Sequence, residues 1–216
     1  MDPRADQKRA AAEAAALEVP EGATVGLGTG TTVAYFLPAL ARRGLGGLRC
    51  VATSPETEAA ARALGMTVVP FAELERLDVA VDGADQVAPD WWLVKGGHGA
   101  QTREKVVAAA AERFVVIVSS DKLVDAIGPP VPLEVLRFGL RATLRRLETL
   151  GPCRVRDGAG SPDGNAIADY LGDVTDPAAL AGELDAVPGV VGHGLFPPAM
   201  VHDVIASFPG GEVRRL

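Results

Sequence analysis

Short, unbroken apolar runs recur along this chain, each too brief for a buried helix and too continuous for a half-exposed strand. "ATVGLG" (23–28), "LRCVAT" (48–53), "TVVP" (67–70), "LDVAVD" (77–82), "WWLVK" (91–95) and "RFVVIVSS" (113–120) all have this form. Strands of this kind are covered on both faces, as in a parallel sheet flanked by helices. The segments between them supply the helices. "TTVAYFLPALARR" (31–43) is helical in pattern, with Pro38 either kinking or ending it. In "SPETEAAARALG" (54–65), Ser54 is an N-cap, Pro55 takes the first helical position and Gly65 closes the end. The expected fold class is therefore α/β, with a Rossmann-like, doubly wound, mostly parallel sheet.

After Asp125 the rhythm changes at the Gly/Pro boundary "AIGPPVP". Beyond it the pattern predicts strand (132–138), helix (139–150), strands (152–156) and (165–170), helix (176–187) and strand (190–196). That β-α-β-β-α-β order is the ferredoxin-like α+β arrangement, and "RDGAGSPDGN" (156–165) makes a hairpin connection within it. The expected division is a catalytic domain over 1–128, to which 200–216 returns, and a smaller domain over 129–199. A chain of 216 residues can bury cores for both.

Composition narrows the function classes. A net charge of −7 argues against a nucleic-acid partner, which needs a clustered basic face. The two cysteines, Cys50 and Cys153, are far apart and in no metal-ligand spacing, so a reduced compartment is expected and a disulfide framework is not. The N-terminal "MDPRADQKRAAAEAAALEVPEG" has charges through its first half, which marks an amphipathic helix and not a signal peptide. No run approaches the roughly 20 apolar residues of a membrane span. A cytoplasmic protein without a membrane partner is expected.

Four segments carry candidate chemistry, and each follows an apolar strand. In "VGLGTGTTV" (25–33) a strand ends, glycines allow a tight turn and threonines open a helix, which forms either a cradle for an anion or a plain strand-to-helix turn. A dinucleotide site wants an acid after the second strand, where "VATSP" offers Thr and Ser, and no P-loop lysine follows the glycines. A phosphate monoester suits the loop better. "VDGADQ" (81–86) places Asp82 and Asp85 at a strand's carboxyl end, where open α/β sheets bind ligands; two carboxylates without a third ligand make a poor Mg²⁺ site. "KGGHGAQTREK" (95–105) combines Lys95, glycines that let amides converge on negative charge, and Glu104 early in a helix. His98 serves there either in acid–base chemistry or as a spacer or lid contact. "VSSDKLVD" (118–125) brings Lys122, either a phosphate contact or a surface lysine. Lys8, on the first helix, reads as a surface residue, and His193 and His202 read as structural.

These segments, in this order, resemble the A-type ribose-5-phosphate isomerases. Gly26 to Thr32 is similar to the family's G-x-G-(T/S)-G-(S/T)-T, Asp82 to Gln86 to D-G-A-D-E, and Lys95 to Lys105 to K-G-G-G-A-A-L-x-R-E-K. "SSDKLVD", "DGN" (163–165) and "PGVVGHGLF" (188–196) also resemble family landmarks, so the likeness spans essentially the whole chain. The resemblance implies a cofactor-free, metal-free aldose–ketose isomerase acting on a sugar phosphate, assembled as a homodimer or homotetramer. Carried over by position, Glu104 is the proton acceptor, and Asp82, Asp85 and Lys95 are its catalytic companions. Thr29, Gly30, Thr31, Thr32, Gly83, Ala84, Gly96, Gly97, His98 and Lys122 complete the substrate-binding set. Gln86, His98, Gly99 and Gln101 depart from the pattern, where the family has Glu, Gly, Ala and Leu. Those departures leave open a related phosphorylated aldose in a specialised pathway. A non-catalytic sugar-phosphate sensor, an acyl-CoA transferase-like enzyme with a glutamate nucleophile, and an oxidoreductase are the rivals from other classes.

Overall fold

The structure, a computed structural model, describes residues 4–158 and 160–216. The chain forms two compact units. One holds the residues up to Ala84 with Arg103–Leu123 and Ala199–Leu216; the other holds Asp85–Thr102 and Val124–Pro198.

The first unit is built on a six-stranded sheet. Its order is Val213–Arg215, Asp203–Ser207, Ala111–Ser119, Leu77–Asp82, Thr24–Leu27, Arg49–Ala52. All neighbours are parallel except the Val213–Arg215 edge, which runs antiparallel. The first strand in the chain lies between the second and the third, so the winding reverses beside it, and open α/β sheets bind ligands at the carboxyl ends around such a reversal. Val25, Leu27, Val79, Val81, Val115 and Ile117 form the sheet's share of the core, against Phe36 and Leu40 of the helix Val33–Arg42. The N-terminal helix Ala5–Leu17 buries a stripe of alanines, Ala11, Ala12, Ala15 and Ala16, whose small side chains allow close packing. The helix Pro55–Ala63 is capped as its sequence dictates: Ser54 Oγ accepts the Thr57 N–H at 3.2 Å, and Gly65 leaves with φ +82°. The helix around Pro38 continues through it from Val33 to Arg42, giving up one backbone hydrogen bond.

Two expected strands differ. "TVVP" contributes only an isolated parallel bridge between Val68 and Cys50. "WWLVK" narrows to Leu93–Val94 because Trp91 adopts φ 67° in a turn. That strand does not join the parallel sheet. It pairs antiparallel with Gln86–Val87 and Leu195–Phe196 in a separate three-stranded sheet, which is why residues 85–102 group with the second unit.

The second unit's main sheet has the order Val190–His193, Val131–Val135, Ala166–Tyr170, Cys153–Val155, antiparallel throughout, with helices Leu140–Leu147 and Pro177–Asp185. This is the ferredoxin-like order. Leu133, Val135, Leu147, Ala168, Leu180 and Leu184 form its core. The hairpin connection is tied from below by Glu134, 1 % exposed, whose Oε1 accepts Ser161 Oγ at 2.5 Å and Asn165 Nδ2 at 2.8 Å. Buried carboxylates need such donors to remain in place.

One packing contact in the first unit sets the helix Gln101–Ala110 on the sheet. A Cβ at Gly26 would fall 2.5 Å from Val107 Cγ1 and 2.9 Å from Ala80 Cβ. Gly26→Ala is expected to lower unfolding free energy by about 1–3 kcal/mol through overpacking. Urea denaturation should show a lower midpoint with an unchanged slope; an unaltered midpoint would remove this contact as the seat of the helix.

Candidate active site

In the first unit the threonine loop and the first aspartate are one construction. Gly28 follows the first strand and Asp82 ends the third strand beside it. A Cβ on Gly28 would lie 2.0 Å from the Asp82 carboxyl carbon, so only glycine lets that carboxylate, 3 % exposed, occupy its place. The backbone N–H groups of Gly83 and Thr29 donate to Asp82 Oδ1 at 2.7 and 3.1 Å. The Thr and Ser that stand where a dinucleotide site would carry an acid have a structural use. Thr53 Oγ1 meets Thr29 Oγ1 at 2.7 Å, and Ser54 Oγ donates to Thr57 Oγ1 at 3.1 Å, whose hydroxyl in turn donates to the Gly28 carbonyl at 2.9 Å. Gly30 has φ +122°, which turns the chain into its helix and leaves Thr31 exposed.

Lys122 and Lys8 belong to this end of the first unit, where Arg4 also pairs with Asp121 at 3.0 Å. Lys122 is half-buried in the single turn Ser120–Lys122 that follows the strand Ala111–Ser119. Lys8, read from the sequence as a surface residue, instead donates from Nζ to Thr31 Oγ1 at 2.8 Å. Its neighbour Gln7 accepts the Ser120 N–H at 3.2 Å and the Ser120 hydroxyl at 3.1 Å. The first helix thus connects the threonine loop with the lysine turn. No spacing in the chain links residue 8 to residues 31 and 120; only the folded sheet does.

Glu104 is 4 % exposed. It stands three residues before Val107, on the helix face that the Gly26 contact turns to the sheet. A carboxylate there is shielded from bulk water, which strengthens its interactions with nearby charge and suits a base that must hold one proton between two uses.

The second unit presents a glycine loop around a buried lysine. Lys95, 2 % exposed, is fixed by its own backbone, which donates to the Gly194 carbonyl at 2.9 Å. Its Nζ lies 5.5 Å from the Phe196 ring centroid, within cation–π range. Asp85 accepts the Gly97 N–H on Oδ2 at 2.8 Å, and its own N–H donates to Val94 O at 2.8 Å. Gly96 has φ +105°, and a Cβ there would meet Gln101 Oε1 and Pro132 Cβ at 2.8 Å each. Gly97 and His98 are exposed, and the His98 ring makes no hydrogen bond among the described residues.

Of the sequence departures, Gln86 has a structural explanation and Gln101 has none. Gln86 donates from Nε2 to the Gly128 carbonyl at 2.9 Å and accepts the Gly128 N–H on Oε1 at 2.8 Å, a two-way pairing that needs an amide. Gln101 is fully buried, and neither of its amide atoms has a hydrogen-bond partner among the described residues. His193 is buried with Nδ1 accepting the Leu195 N–H at 3.2 Å, and His202 Nδ1 accepts the Phe114 N–H at 3.1 Å, as structural histidines do. Burial pushes both thiols, Cys50 and Cys153, up to about 11, the latter with help from the Glu148 charge. Neither is a thiolate at neutral pH. Among the described residues, no three His, Cys, Asp or Glu side chains are grouped to hold a metal ion. No helix there is long and apolar enough to cross a membrane.

Residues 49–211 match the family model of ribose 5-phosphate isomerase A, also called phosphoriboisomerase A. The chain belongs to that family. Ribose-5-phosphate isomerase A of Roseiflexus sp. (strain RS-1) is 45% identical over 96% of this chain and 94% of its own. A solved ribose 5-phosphate isomerase A from Neisseria gonorrhoeae superposes with a TM-score of 0.94 at 31% identity, over 100% of this chain and 98% of that one. A D-ribose-5-phosphate isomerase in complex with phospho-erythronic acid gives 0.90 at 32% identity, over 97% of both chains. Within the phosphoriboisomerase pattern, Gln101 is the departure with an energetic cost. A buried amide without partners loses about 1–3 kcal/mol that an apolar side chain of similar shape does not. Gln101→Leu is expected to raise the thermal midpoint, read by calorimetry. A lower midpoint would show that the amide stabilises the fold.

Proposed function

We propose that this enzyme interconverts D-ribose 5-phosphate and D-ribulose 5-phosphate through a cis-enediolate, with Glu104 as the base. Membership of the phosphoriboisomerase A family supplies the substrate pair. The observation that supports the residue role is a carboxylate buried to 4 % exposure on a helix seated against the sheet.

The chemistry assigns the other groups. The furanose first opens as a proton leaves the C1 hydroxyl and one reaches the ring oxygen, a transfer that Asp82 or Asp85 can assist. Glu104 then takes the C2 proton; the C2–H electron pair forms the C1–C2 double bond and charge moves onto O1. A proton shifts between O2 and O1, and Glu104 returns its proton to C1, leaving the carbonyl at C2. One base on one face does both transfers. The barrier is set by negative charge on O1 and O2, so fixed donors there contribute most. Lys95 and the amides of Gly96, Gly97 and His98 are assigned to that charge. Asp82 and Asp85, with Gly83 and Ala84, hold sugar hydroxyls. The phosphate is assigned to Thr29, Gly30, Thr31 and Thr32 with Lys122, and Lys8 joins them through its contact with Thr31. Binding energy from the phosphate positions the reacting carbons. Phospho-erythronic acid, a phosphorylated carboxylate of the same anionic class, should occupy this site as well. The enzyme is read as cytoplasmic, cofactor-free and a homodimer or homotetramer.

Glu104→Gln should keep the fold and the Michaelis constant while turnover falls at least about 10²-fold, a typical general-base contribution. In deuterated buffer the wild-type enzyme should place label at the exchanging carbons. Turnover close to wild type in the variant would take Glu104 out of the mechanism, and ribose 5-phosphate recovered without ketose or label would end the isomerase proposal. Lys122→Ala should raise the Michaelis constant for ribose 5-phosphate more than for an unphosphorylated pentose; equal effects on both would argue against a phosphate contact.

A further inference from the structure

The glycine loop of the second unit is held from behind by a residue that lies outside every catalytic segment. Arg156 sits at the base of the hairpin connection, where its backbone N–H donates to Ile167 O at 2.9 Å. In that register it lies diagonally across from Asp169 on the same sheet face. Asp169, 6 % exposed, grips the guanidinium with both oxygens: Nη2 to Oδ1 at 2.7 Å, and Nε to Oδ2 at 3.0 Å and to Oδ1 at 3.2 Å. The remaining arm, Nη1, donates to two consecutive carbonyls, Gly96 O at 2.9 Å and Gly97 O at 3.0 Å. A bidentate carboxylate fixes the plane of a guanidinium, so the direction of this third arm is set by Asp169.

Peptide planarity carries the consequence across the loop. In a trans peptide the C=O and the following N–H point in opposite directions. With the Gly96 carbonyl drawn to Arg156, the Gly97 N–H points the other way, and it meets Asp85 Oδ2 at 2.8 Å. With the Gly97 carbonyl drawn to Arg156, the His98 N–H is likewise turned away, and it has no acceptor among the described residues. Loops rich in glycine have many accessible orientations for each peptide. One charged donor on two carbonyls removes that freedom.

We propose that Arg156, oriented by Asp169, is a positioning residue for the isomerase reaction. By holding the Gly96 and Gly97 carbonyls it aims the Gly97 N–H at Asp85 and the His98 N–H at the enediolate oxygen. It touches neither substrate nor reacting atoms and acts through the peptide units alone. The catalytic part of this assignment rests on the function proposed above; the loop geometry does not.

The test compares Arg156→Met, Arg156→Lys and Asp169→Asn with Arg154→Met, a control at an exposed position on the same strand. Each is assayed well below its melting temperature for turnover and Michaelis constant, and amide hydrogen exchange at Gly97 is followed by NMR. Arg156→Met should lose about 10- to 100-fold in turnover, the scale of misplacing a catalytic group by roughly 1 Å, while the Michaelis constant moves less than about threefold. Its Gly97 amide should exchange at least about tenfold faster. Arg156→Lys, able to reach one carbonyl, should fall between Met and wild type, Asp169→Asn should follow the same direction, and Arg154→Met should match wild type. Unchanged Gly97 exchange in Arg156→Met overturns the clamp. Faster exchange with unchanged turnover overturns its catalytic role. Wild-type protein that does not isomerise ribose 5-phosphate sinks the functional reading instead, and Gly97 exchange alone then decides whether Arg156 holds the loop.

Discussion

A missing methyl group at Gly28 is the constraint on which the first unit's site depends. It lets the Asp82 carboxylate lie directly on the threonine loop and collect two backbone N–H groups. The first and third strands are neighbours in a parallel sheet, so their carboxyl ends come out side by side, and the contact joins the two loops that follow them. Peptide dipoles from Thr29 and Gly83 thus meet part of the Asp82 charge.

The second unit solves a different problem. A lysine that is 2 % exposed needs support from more than charge. It receives a strand partner through Gly194, an aromatic face from Phe196, and a loop whose carbonyls are directed elsewhere by Arg156. Gly194 has to be glycine for the same reason as Gly28: a Cβ there would lie 2.1 Å from the Lys95 carbonyl oxygen. At Gly28 and Gly194 it is close approach to a candidate site residue, and not a bend, that requires glycine.

Much of this was legible in the chain. Apolar runs such as "LDVAVD" and "RFVVIVSS" announced buried parallel strands, and the capping pattern around Ser54 announced its helix, because those signals are local. Density of glycine and charge behind strands singled out Asp82, Asp85 and Lys95 as candidates, whereas Glu104 was singled out through the resemblance to the isomerase family. Illegible features were those made by contact between distant segments. "WWLVK" reads as one more core strand until the turn at Trp91 and its antiparallel partners are seen. Lys8 reads as a solvated helix charge because nothing local points to Thr31. Arg156 reads as a hairpin residue because its partners lie 13 and about 60 residues away. Gln101 shows in the sequence only as a departure from the family's leucine; that its amide is buried without hydrogen-bond partners among the described residues is visible only in the fold.

The pairing of Gln86 with Gly128 imitates a strand ladder with a side chain. Such an imitation is sensitive to a single atom. A carboxylate at position 86 keeps the bond from the Gly128 N–H but sets like partial charges against each other at the Gly128 carbonyl. Residue 86 and the proline-rich turn that begins at 128 are therefore expected to drift together among relatives, each choice of acid or amide selecting its own path for the chain entering the small antiparallel sheet.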